Sequence, residues 1–447
     1  MPPRTLAFFL FVLACNRAQT TSSPAPAPAP TPVAVPPVAA PEPHPFQPAP
    51  KGCMYRVVPP LVGDLAVTAE DAKPPREQRY VHLHLTAVGP ATHAMVAQWN
   101  TDPADRATVV RLRTVGGDWH YVHGFSFPLP GAAHVRHHEA HLCGLTPATL
   151  YEYAVGEGED GRVWRFRTAP EGPEAVTALV VGDARTHPEV WAQVARAAAR
   201  EAPELLLFTG DAVGDGGDIT LWSRFFEGAE ELLATTPGLW ADGNHEGVSA
   251  VYYDQFALPG NEDRTHHERW YTATWGPLRI IALNDVTVPA EEITGAQRTF
   301  LEATLRAVDR QQTPWVLTMH HQPMHTDAEG HDPDLVTRRA WGPLLDRYRV
   351  DLDLSGHVHN YESSRPMRSD GAVVAEGQGT RYLVFGGAGA PLYGFRRKEP
   401  WVSRRESTHG YALLRARRDR ITWEAHRVDG SVIETIDVPW RAPGMVR

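Results

Sequence analysis

The chain has 447 residues, of which 42% are hydrophobic, and a formal net charge of −10 at pH 7. This length predicts two domains, and the hydrophobic content is sufficient for a sizeable core in each. The negative charge argues against general affinity for nucleic acid or anionic membranes, because both recruit basic surfaces.

The first fifteen residues predict an export signal. Arg4 precedes an apolar stretch over residues 6–14 that is too short to span a bilayer. Residues 12–15, Val-Leu-Ala-Cys, resemble a bacterial lipobox, which implies cleavage before Cys15 and a lipid anchor on its thiol. Ordinary secretion, with Cys15 removed alongside the signal, is the alternative. In either case the mature protein would lie outside the cytoplasm, in a bacterial cell envelope (lipid-anchored, periplasmic or surface-exposed) or secreted.

Residues 16–52 predict a disordered linker. Pro, Ala, Thr, Ser and Val dominate this segment, which cannot bury a core, and its prolines favour an extended conformation. We interpret it as a tether between the membrane and the folded part of the chain.

Residues 53–170 predict an all-β domain. Strand-like stretches such as 80–85, 94–99 and 108–112 are separated by turn signals. The later run Leu-Thr-Pro-Ala-Thr-Leu-Tyr at 145–151 resembles the Leu-x-Pro-x-Thr-x-Tyr corner of fibronectin type III sandwiches. This resemblance implies a fibronectin type III-like β-sandwich in front of the second domain.

Two features of this domain leave alternatives open. Cys53 and Cys143 could form a disulfide, which is plausible in an exported protein, or could remain two buried thiols. Four clustered histidines could bind a metal or could be ordinary strand and loop histidines. They are His134, His137, His138 and His141.

Residues 171–447 predict a layered α/β domain, since strand-like and helix-like patterns alternate there. Five strand-like stretches are each followed by a short polar motif. The motifs are Gly182-Asp183, Gly210-Asp211, Gly243-Asn244-His245-Glu246, His320-His321-Gln322-Pro323 and Gly356-His357-Val358-His359. The first two flank a helical pattern, so that a βαβ crossover would bring Asp183 and Asp211 to one sheet edge. Two adjacent carboxylates repel each other unless a cation lies between them.

The residue types in these motifs predict a metal site. Carboxylates, an amide oxygen and imidazoles, without a thiolate, suit iron, manganese or zinc. Sharing of Asp211 would hold two divalent or trivalent ions about 3.5–4 Å apart. Such a pair can clamp a phosphoryl group and stabilise the charge that develops on its oxygens.

The ordered set of motifs resembles the calcineurin-like metallophosphoesterases and, with a β-sandwich in front, their purple acid phosphatase branch. The resemblance covers roughly residues 80–440 and implies an α/β domain whose β-sandwich core is flanked by helices. It also implies the ligands: Asp183 and His359 for the first metal, Asn244, His321 and His357 for the second, and Asp211 for both. His320 has no ligand role in this register and would point into the sheet.

Further residues are predicted to contact the substrate. By resemblance, His245 would contact the phosphate or protonate the leaving group. The plant enzymes place a substrate-contacting histidine pair about ten residues after the ligand equivalent to His321; here only His331 is present, and we predict it as a catalytic residue. We also predict that His325 and Arg185 bind the substrate, Arg185 through a phosphate oxygen. Loop histidines without a role, and a surface salt bridge of Arg185, are the alternatives.

The chain departs from the family pattern at the first metal site. In the family motif Gly-Asp-x-x-Tyr, a tyrosinate binds the ferric ion and gives the purple colour, but Gly214 replaces that tyrosine here. The related Asp-x-His form of the first motif is also missing, because Arg185 stands in the place of its histidine. Water or Asp215 could fill the missing ligand position. We expect no tyrosinate colour, and the metal identity stays open.

These features together predict an exported, acid phosphatase-like hydrolase with two metal ions. It would hydrolyse phosphate monoesters of small molecules by attack of a metal-bound hydroxide, without a phosphoenzyme. A phosphodiesterase or nucleotidase acting at the same site is one alternative. A non-catalytic surface binding module that retains the fold is another; the missing tyrosine motivates it, and the otherwise intact motifs argue against it.

Overall fold

The computed structural model describes residues 52–55, 79–129, 132–156, 162–261, 268–396 and 398–440. All of them belong to one compact unit that spans Pro45–Arg447. The predicted signal peptide (1–15) with its Cys15, and the predicted linker (16–52) up to residue 51, lie outside the described residues. Within the described ranges, no helix is long and apolar enough to cross a membrane.

Strands and helices are numbered here in chain order. The strands are β1 (Val81–Thr86), β2 (Ala94–Thr101), β3 (Val109–Thr114), β4 (His120–His123), β5 (Phe125–Leu129), β6 (Ala132–Cys143), β7 (Leu150–Val155), β8 (Trp164–Arg167), β9 (Val176–Val181), β10 (Leu205–Phe208), β11 (Gly238–Trp240), β12 (Tyr271–Trp275), β13 (Leu278–Ala282), β14 (Trp315–Met319), β15 (Leu352–Ser355), β16 (Tyr361–Ser364), β17 (Arg381–Phe385), β18 (Val402–Glu406), β19 (Gly410–Ala416), β20 (Arg420–Arg427) and β21 (Val432–Pro439). The helices are α1 (Pro188–Ala199), α2 (Ile219–Thr235), α3 (Ala250–Gln255), α4 (Ala290–Thr294), α5 (Ala296–Arg306), α6 (Leu335–Ala340) and α7 (Gly342–Tyr348).

Two large sheets form the sandwich core of the α/β part. One has ten strands in the order β21-β20-β19-β9-β10-β11-β1-β2-β6-β5, and the other has seven in the order β12-β13-β14-β15-β17-β16-β18. Their apolar side chains share one core, to which Leu179 and Leu207 contribute from the first sheet and Leu317 and Leu354 from the second. The predicted layered fold with a β-sandwich core is therefore confirmed.

Helices cover the outer faces of both sheets, as predicted. On the first sheet, Trp191 of α1 packs edge-on against Phe208 of β10 and stacks on Phe225 of α2, with ring centroids 6.0 and 5.1 Å apart. On the second sheet, a separate apolar cluster joins Ile281 of β13 to Leu301 of α5. The helical spacing of apolar residues over α1 thus matches the face that it buries.

The N-terminal strands form a sandwich that is continuous with the first large sheet. A third sheet, ordered β4-β3-β7-β8, shares the apolar core with β1, β2 and β6. The Tyr151 hydroxyl accepts a hydrogen bond from the backbone N–H of Thr146 at 2.9 Å, which is the geometry of a tyrosine corner. Strand β1 also pairs in parallel with β11 at Thr86 and Gly238. The fibronectin type III assignment and the domain boundary at 170 stay predictions.

The two open questions of this region now have structural answers. Cys53 and Cys143 form a disulfide, with Cα atoms 4.9 Å apart. Of the clustered histidines, only His134 is exposed. The other three are buried in the core and have hydrogen-bond partners, so they are not surface histidines. Among the described residues, none of them belongs to a group of side chains that could hold a metal ion. These three are His137, His138 and His141.

Buried histidines also line the junction between the N-terminal sandwich and the α/β part. His84 of β1 bonds through Nε2 to the backbone carbonyl of Gln255, at the end of α3, at 2.7 Å. Burial lowers the pKa of His82 and of His138 to about 3, and that of His84 to about 4. His82 and His138 are therefore neutral in the folded protein at pH 7, whereas both ring nitrogens of His84 lie 2.7 Å from backbone carbonyl oxygens, which oppose the effect of burial.

The buried histidines predict a fold that acid destabilises. In the unfolded chain a histidine binds a proton below about pH 6.5, whereas the folded protein excludes it until a lower pH, so the free energy of unfolding falls as the pH drops below 6.5. For His138 the loss at pH 5 is about 2 kcal/mol. We expect His138→Gln to reduce the difference in unfolding free energy between pH 7.5 and pH 5.0 by this amount, measured by urea denaturation. The exposed His134→Gln is the matched control, and equal pH dependence in His138→Gln and wild type would contradict the prediction.

Candidate metal centre and active site

All five polar motifs follow strands, as predicted, with at most two residues between the strand and the motif. Residues 182–183, 210–211 and 243–246 follow the mutually parallel β9, β10 and β11, while 320–323 and 356–359 follow the parallel β14 and β15. The carboxyl ends of parallel strands form the usual ligand-binding edge of an α/β sheet. The backbone N–H of His357 donates to Asp183 Oδ2 at 2.9 Å, so the loops of the two sheets meet at this edge.

Three predicted ligands of the second metal converge on one point. Asn244 Oδ1 lies 3.1 Å from His321 Nε2 and 3.0 Å from His357 Nδ1, and the two ring nitrogens are 3.2 Å apart. Asp211 Oδ1 lies 3.4 Å from His321 Nε2. A cation placed among these atoms would be bound by one amide oxygen, two imidazoles and one carboxylate.

The predicted ligands of the first metal form an adjacent group. Asp183, Asp211 and His359 are buried, and each offers a ligand atom within 4.8 Å of the other two. Among the described residues, Oδ1 of Asp183 has no hydrogen-bond partner although it is buried. A buried carboxylate oxygen without a partner is costly, and a bound cation would satisfy it. The residues present therefore fit a metal ion here.

The backbone is left-handed at three of these ligands. The φ angles are 60° at Asp183, 57° at Asp211 and 63° at His357. Asp and His tolerate this region better than most residues, but it persists only where the surrounding structure enforces it. Gly210 has a φ of 93°, and a Cβ there would lie 2.6 Å from His321 Nδ1. The turns after the strands thus aim the ligands at the cost of local strain.

Backbone carbonyls orient two of the histidines. His321 Nδ1 lies 2.8 Å from the Thr209 carbonyl oxygen, and His359 Nδ1 lies 2.7 Å from that of Pro391. A carbonyl only accepts, so Nδ1 must donate in each ring. This leaves Nε2 of both rings to face the site, which is the arrangement typical of metal-binding histidines.

The site contains buried carboxylates whose negative charge needs a compensating cation. Burial opposes the ionised form of Asp211, but the charge of His321 and its hydrogen bonds outweigh burial and hold its pKa below the usual range. Burial likewise disfavours a charge on His321, but Asp211 and Asp183 outweigh it and raise its pKa to about 10. Burial raises the pKa of Asp183. Metal binding at His321 would therefore release a proton.

Glu246 is a functional residue whose role the sequence did not indicate, although it stands within the third motif. Its buried carboxylate accepts hydrogen bonds from the backbone N–H groups of Asp211, Ala212 and Gly243 at 2.7–2.8 Å, and from Val213 at 3.3 Å. Burial, followed by the charge of Asp211, raises its pKa to about 8, whereas the backbone N–H donors favour the ionised carboxylate. One side chain thus holds together the two loops that carry Asp211 and Asn244.

His320 lies behind the site, as predicted. It is fully buried, and its ring nitrogens lie 2.9 Å from Asp285 Oδ2 and 3.2 Å from the carboxylate oxygens of Asp353. Burial opposes its charge, but Asp353 and Asp285 outweigh burial and raise its pKa well above the usual value. Asp285 also accepts from the backbone N–H of His321 at 3.2 Å, which fixes the loop that presents this ligand.

His245 faces the predicted bridging ligand. Its backbone N–H donates to Asp211 Oδ1 at 3.0 Å, and its Nδ1 donates to the Gly214 carbonyl at 2.9 Å. Its Nε2 lies 3.9 Å from Asp211 Oδ2, and a third of the side chain is exposed. The Gly214 carbonyl thus fixes Nδ1 of the ring, and Nε2 remains available on the partly exposed side.

Two of the other predicted substrate residues also lie at the site. The His331 ring lies perpendicular to that of His357, with centroids 5.2 Å apart, and stacks on Tyr393 at 4.3 Å. Arg185 Nε donates to Asp211 Oδ2 at 3.2 Å. Tyr393, which the sequence did not single out, stacks on His359 at 4.2 Å.

His325 lies elsewhere, which corrects its predicted role in substrate binding. It is 3% exposed, and its ring packs edge-on against Tyr382 and Trp401 with centroids 4.5 and 5.9 Å away. Burial lowers its pKa to about 3. After His321 the chain turns away from the site, and His325 packs beside the separate apolar cluster that joins β13 to α5.

The calcineurin-like phosphoesterase family matches residues 115–361, more than half of the chain. The chain belongs to this family. An uncharacterized protein of Mycobacterium tuberculosis is 30% identical over 309 residues, covering 57% of this chain and 58% of that protein. The probable inactive purple acid phosphatase 1 of Arabidopsis thaliana is 27% identical over 331 residues, covering 62% and 53%.

The fold of this calcineurin-like phosphoesterase is similar to the structure of the purple acid phosphatase PPD1 from yellow lupin seeds. The TM-score is 0.71 at 20% sequence identity, over 81% of this chain and 74% of that chain. Purple acid phosphatases are thus among the proteins to which this chain is similar in sequence and fold. The chain spans only 58% and 53% of the lengths of the two curated relatives named above.

Gly214 stands where the purple acid phosphatase motif has its tyrosine, and the space next to its Cα is open. An added Cβ at Gly214 would come no nearer than 3.9 Å to Leu221. Asp215, which the sequence suggested as a replacement ligand, is exposed, and its Oδ1 accepts from the backbone N–H of Gly217 at 2.9 Å. Its side chain therefore stabilises a local turn.

The contacts of Glu246 predict that metal binding depends on it. In Glu246→Gln an amide NH₂ would face backbone N–H groups, so that donors meet without an acceptor. We expect metal binding to weaken about 10–100-fold, which is typical when a residue that supports the metal ligands is replaced. Equilibrium dialysis against Mn²⁺ or Zn²⁺, followed by elemental analysis, measures this. Asp215→Asn removes an exposed carboxylate from the same region and should leave metal affinity unchanged. Unaltered affinity in Glu246→Gln would contradict the organising role of this side chain.

Proposed function

We propose that the protein is an exported, binuclear metal-dependent phosphoesterase that hydrolyses phosphate monoesters of small molecules. The observation that carries this proposal is the convergence of two groups of ligand atoms on either side of Asp211. Asp183 and His359 would hold the first ion, Asn244, His321 and His357 the second, and Asp211 would bridge them. Iron, manganese and zinc all suit this set of oxygen and imidazole ligands.

Two bound ions would supply a nucleophile by acidifying water and would neutralise the phosphoryl oxygens. The residues of the chain account for the rest of the chemistry. The carboxylates and imidazoles fix the positions of the ions, and Glu246 and Asp285 fix the loops that carry these ligands. Asp183, Asp211, His321 and His359 are buried, which keeps water away from the back of the site, where it would weaken electrostatic stabilisation. Asn244 is exposed and His357 is half-buried, so they form the side of the site that faces solvent.

His245 is suited to protonate the leaving group. Its Nδ1–H is held by the Gly214 carbonyl, so that the Nε2–H of a protonated ring could point to the departing oxygen. Arg185 and His331 would contact the phosphate group. The side chain of Arg185 is 18% exposed and can reach solvent-side oxygens of a bound phosphate. His331 borders the same space through its contact with His357.

Two other functions compete with this proposal. A phosphodiesterase or nucleotidase would use the same ligands. A non-catalytic binding module is favoured by Gly214 in place of the family tyrosine, and one relative is itself named a probable inactive purple acid phosphatase. The complete set of remaining ligands supports the enzyme.

Export is part of the proposal and is supported by the sequence of residues 1–15 alone. Lipidation of Cys15 would attach the protein to a bacterial cell envelope, with residues 16–52 as a tether, and cleavage without lipidation would leave it periplasmic or secreted. Radiolabelled palmitate incorporation in wild type and Cys15→Ser separates the two fates.

Loss of the bridging carboxylate is expected to abolish turnover. With added Mn²⁺, Fe²⁺ or Zn²⁺, the wild type should hydrolyse p-nitrophenyl phosphate, and Asp211→Asn should be slower by at least about 10³-fold, since both ion positions depend on this oxygen pair. Faster cleavage of bis(p-nitrophenyl) phosphate than of the monoester would indicate the phosphodiesterase. Stoichiometric metal without turnover of either ester would indicate the binding module.

The role of His245 predicts dependence on the leaving group. Without a general acid, alkyl phosphates, whose leaving groups are poor, should slow by about 10²-fold or more in His245→Ala. p-Nitrophenyl phosphate, whose leaving group needs little protonation, should slow much less. Measurement of kcat for both substrates tests this, with the exposed His123→Ala as control. Equal losses on the two substrates would instead assign His245 to phosphate binding.

A further inference from the structure

The guanidinium of Arg185 contacts the ligand atoms of the first metal site. Its Nε donates to Asp211 Oδ2 at 3.2 Å, and its Nη2 lies 3.2 Å from His359 Nε2. Both of these acceptor atoms are ones that the proposed first ion would need. This arginine stands where the Asp-x-His form of the motif would place a histidine ligand.

The contact with His359 excludes simultaneous metal binding by the same nitrogen. Since His359 Nδ1 donates to the Pro391 carbonyl, Nε2 carries the lone pair, and that lone pair accepts from Arg185. A guanidinium has no free lone pair and keeps its charge at any working pH, so it cannot become a ligand. For an ion to bind His359, Arg185 must move away.

Neighbouring residues hold the guanidinium where it is. The phenol of Tyr393 contacts Arg185, and its ring stacks on His359 with an interplanar angle of 18°. Gly214 supplies no anionic side chain to offset the arginine. The ligand atoms of the second site, in contrast, face one another: Asn244 Oδ1, His321 Nε2 and His357 Nδ1.

We infer that Arg185 makes the two metal sites unequal by occupying the first site until an ion displaces it. The second site fills at low metal concentration, and the first fills only when Arg185 leaves His359 and becomes free to hold a phosphate oxygen. This inference rests on the two-metal part of the proposed function and adds the order in which the sites load.

Calorimetric titration of the metal-stripped full chain with Mn²⁺ tests the inference without measuring activity. The wild type should bind two ions in two resolved steps. The tight step fills the second site, and the weak step, at least tenfold weaker, fills the first site. In Arg185→Gln the weak step should tighten at least tenfold while the tight step changes less than threefold. Arg185→Lys keeps the positive charge and should retain the weak step at the first site. Arg200→Ala, which removes the same charge from the exposed end of α1, is the control and should match the wild type.

Several results would overturn the inference. Equal affinities in the wild type, binding of fewer than two ions, or an unchanged weak step in Arg185→Gln would each do so, provided that urea unfolding shows the variant to be folded. Failure of the proposed function is a separate result. Two unequal steps without ester hydrolysis would reject the phosphoesterase and retain the inference, and turnover with two equal steps would reject the inference alone.

Discussion

The site depends on the burial of two carboxylates side by side. Asp183 and Asp211 are both fully buried at the ends of neighbouring strands. Such a pair cannot stay ionised without compensating positive charge. The surrounding groups supply that charge or its equivalent. Asp211 and Asp183 raise the pKa of His321 to about 10, Arg185 bonds to Asp211, and the backbone N–H of His245 donates to the same carboxylate. A metal ion at this site would replace the weaker of these partners with a stronger one, and the site is therefore suited to cations.

The sequence predicted which side chains meet at the sheet edge, because the governing pattern is local; their role as metal ligands stays a prediction. An apolar strand, a glycine and a polar residue lie next to each other in the chain, and parallel strands bring such ends together. Glu246 and Tyr393 escaped prediction because their contacts join distant parts of the chain: Glu246 bonds to loops that begin 35 residues earlier, and Tyr393 stacks on His359 across a separate loop. His325 was misassigned because nearness in sequence to His321 does not determine which way a turn directs a side chain.

Domain organisation, too, is only partly predictable from the sequence, because strand pairing joins distant parts of the chain. Composition and strand spacing distinguish an all-β part from an α/β part, but they do not show that β1 pairs with β11 and continues the central sheet. The junction is polar and buried, with His84 bonded to the end of α3 and Gln98 bonded to the backbone N–H of Ala257. Buried polar groups must be paired wherever they occur, so these bonds tie the N-terminal sandwich to the part that carries the ligands. His82, whose pKa burial lowers to about 3, stacks on Phe226 of α2 at this junction, so its protonation would disturb the contact between the two parts, whereas His138 bonds within the sandwich.

The two departures from the purple acid phosphatase pattern act in the same electrostatic direction. Gly214 removes a phenolate that would add one negative charge to the first site, and Arg185 adds one positive charge beside Asp211 and His359. Relative to a site with tyrosinate and without arginine, the charge around the site before an ion binds is thus more positive by two units. A trivalent ion needs more anionic ligands than a divalent one, because each added unit of charge increases both its attraction to carboxylates and the cost of its desolvation. The charge balance of the proposed first site would therefore favour a divalent ion, because the missing phenolate leaves one anionic ligand fewer for a bound ion and Arg185 opposes its entry.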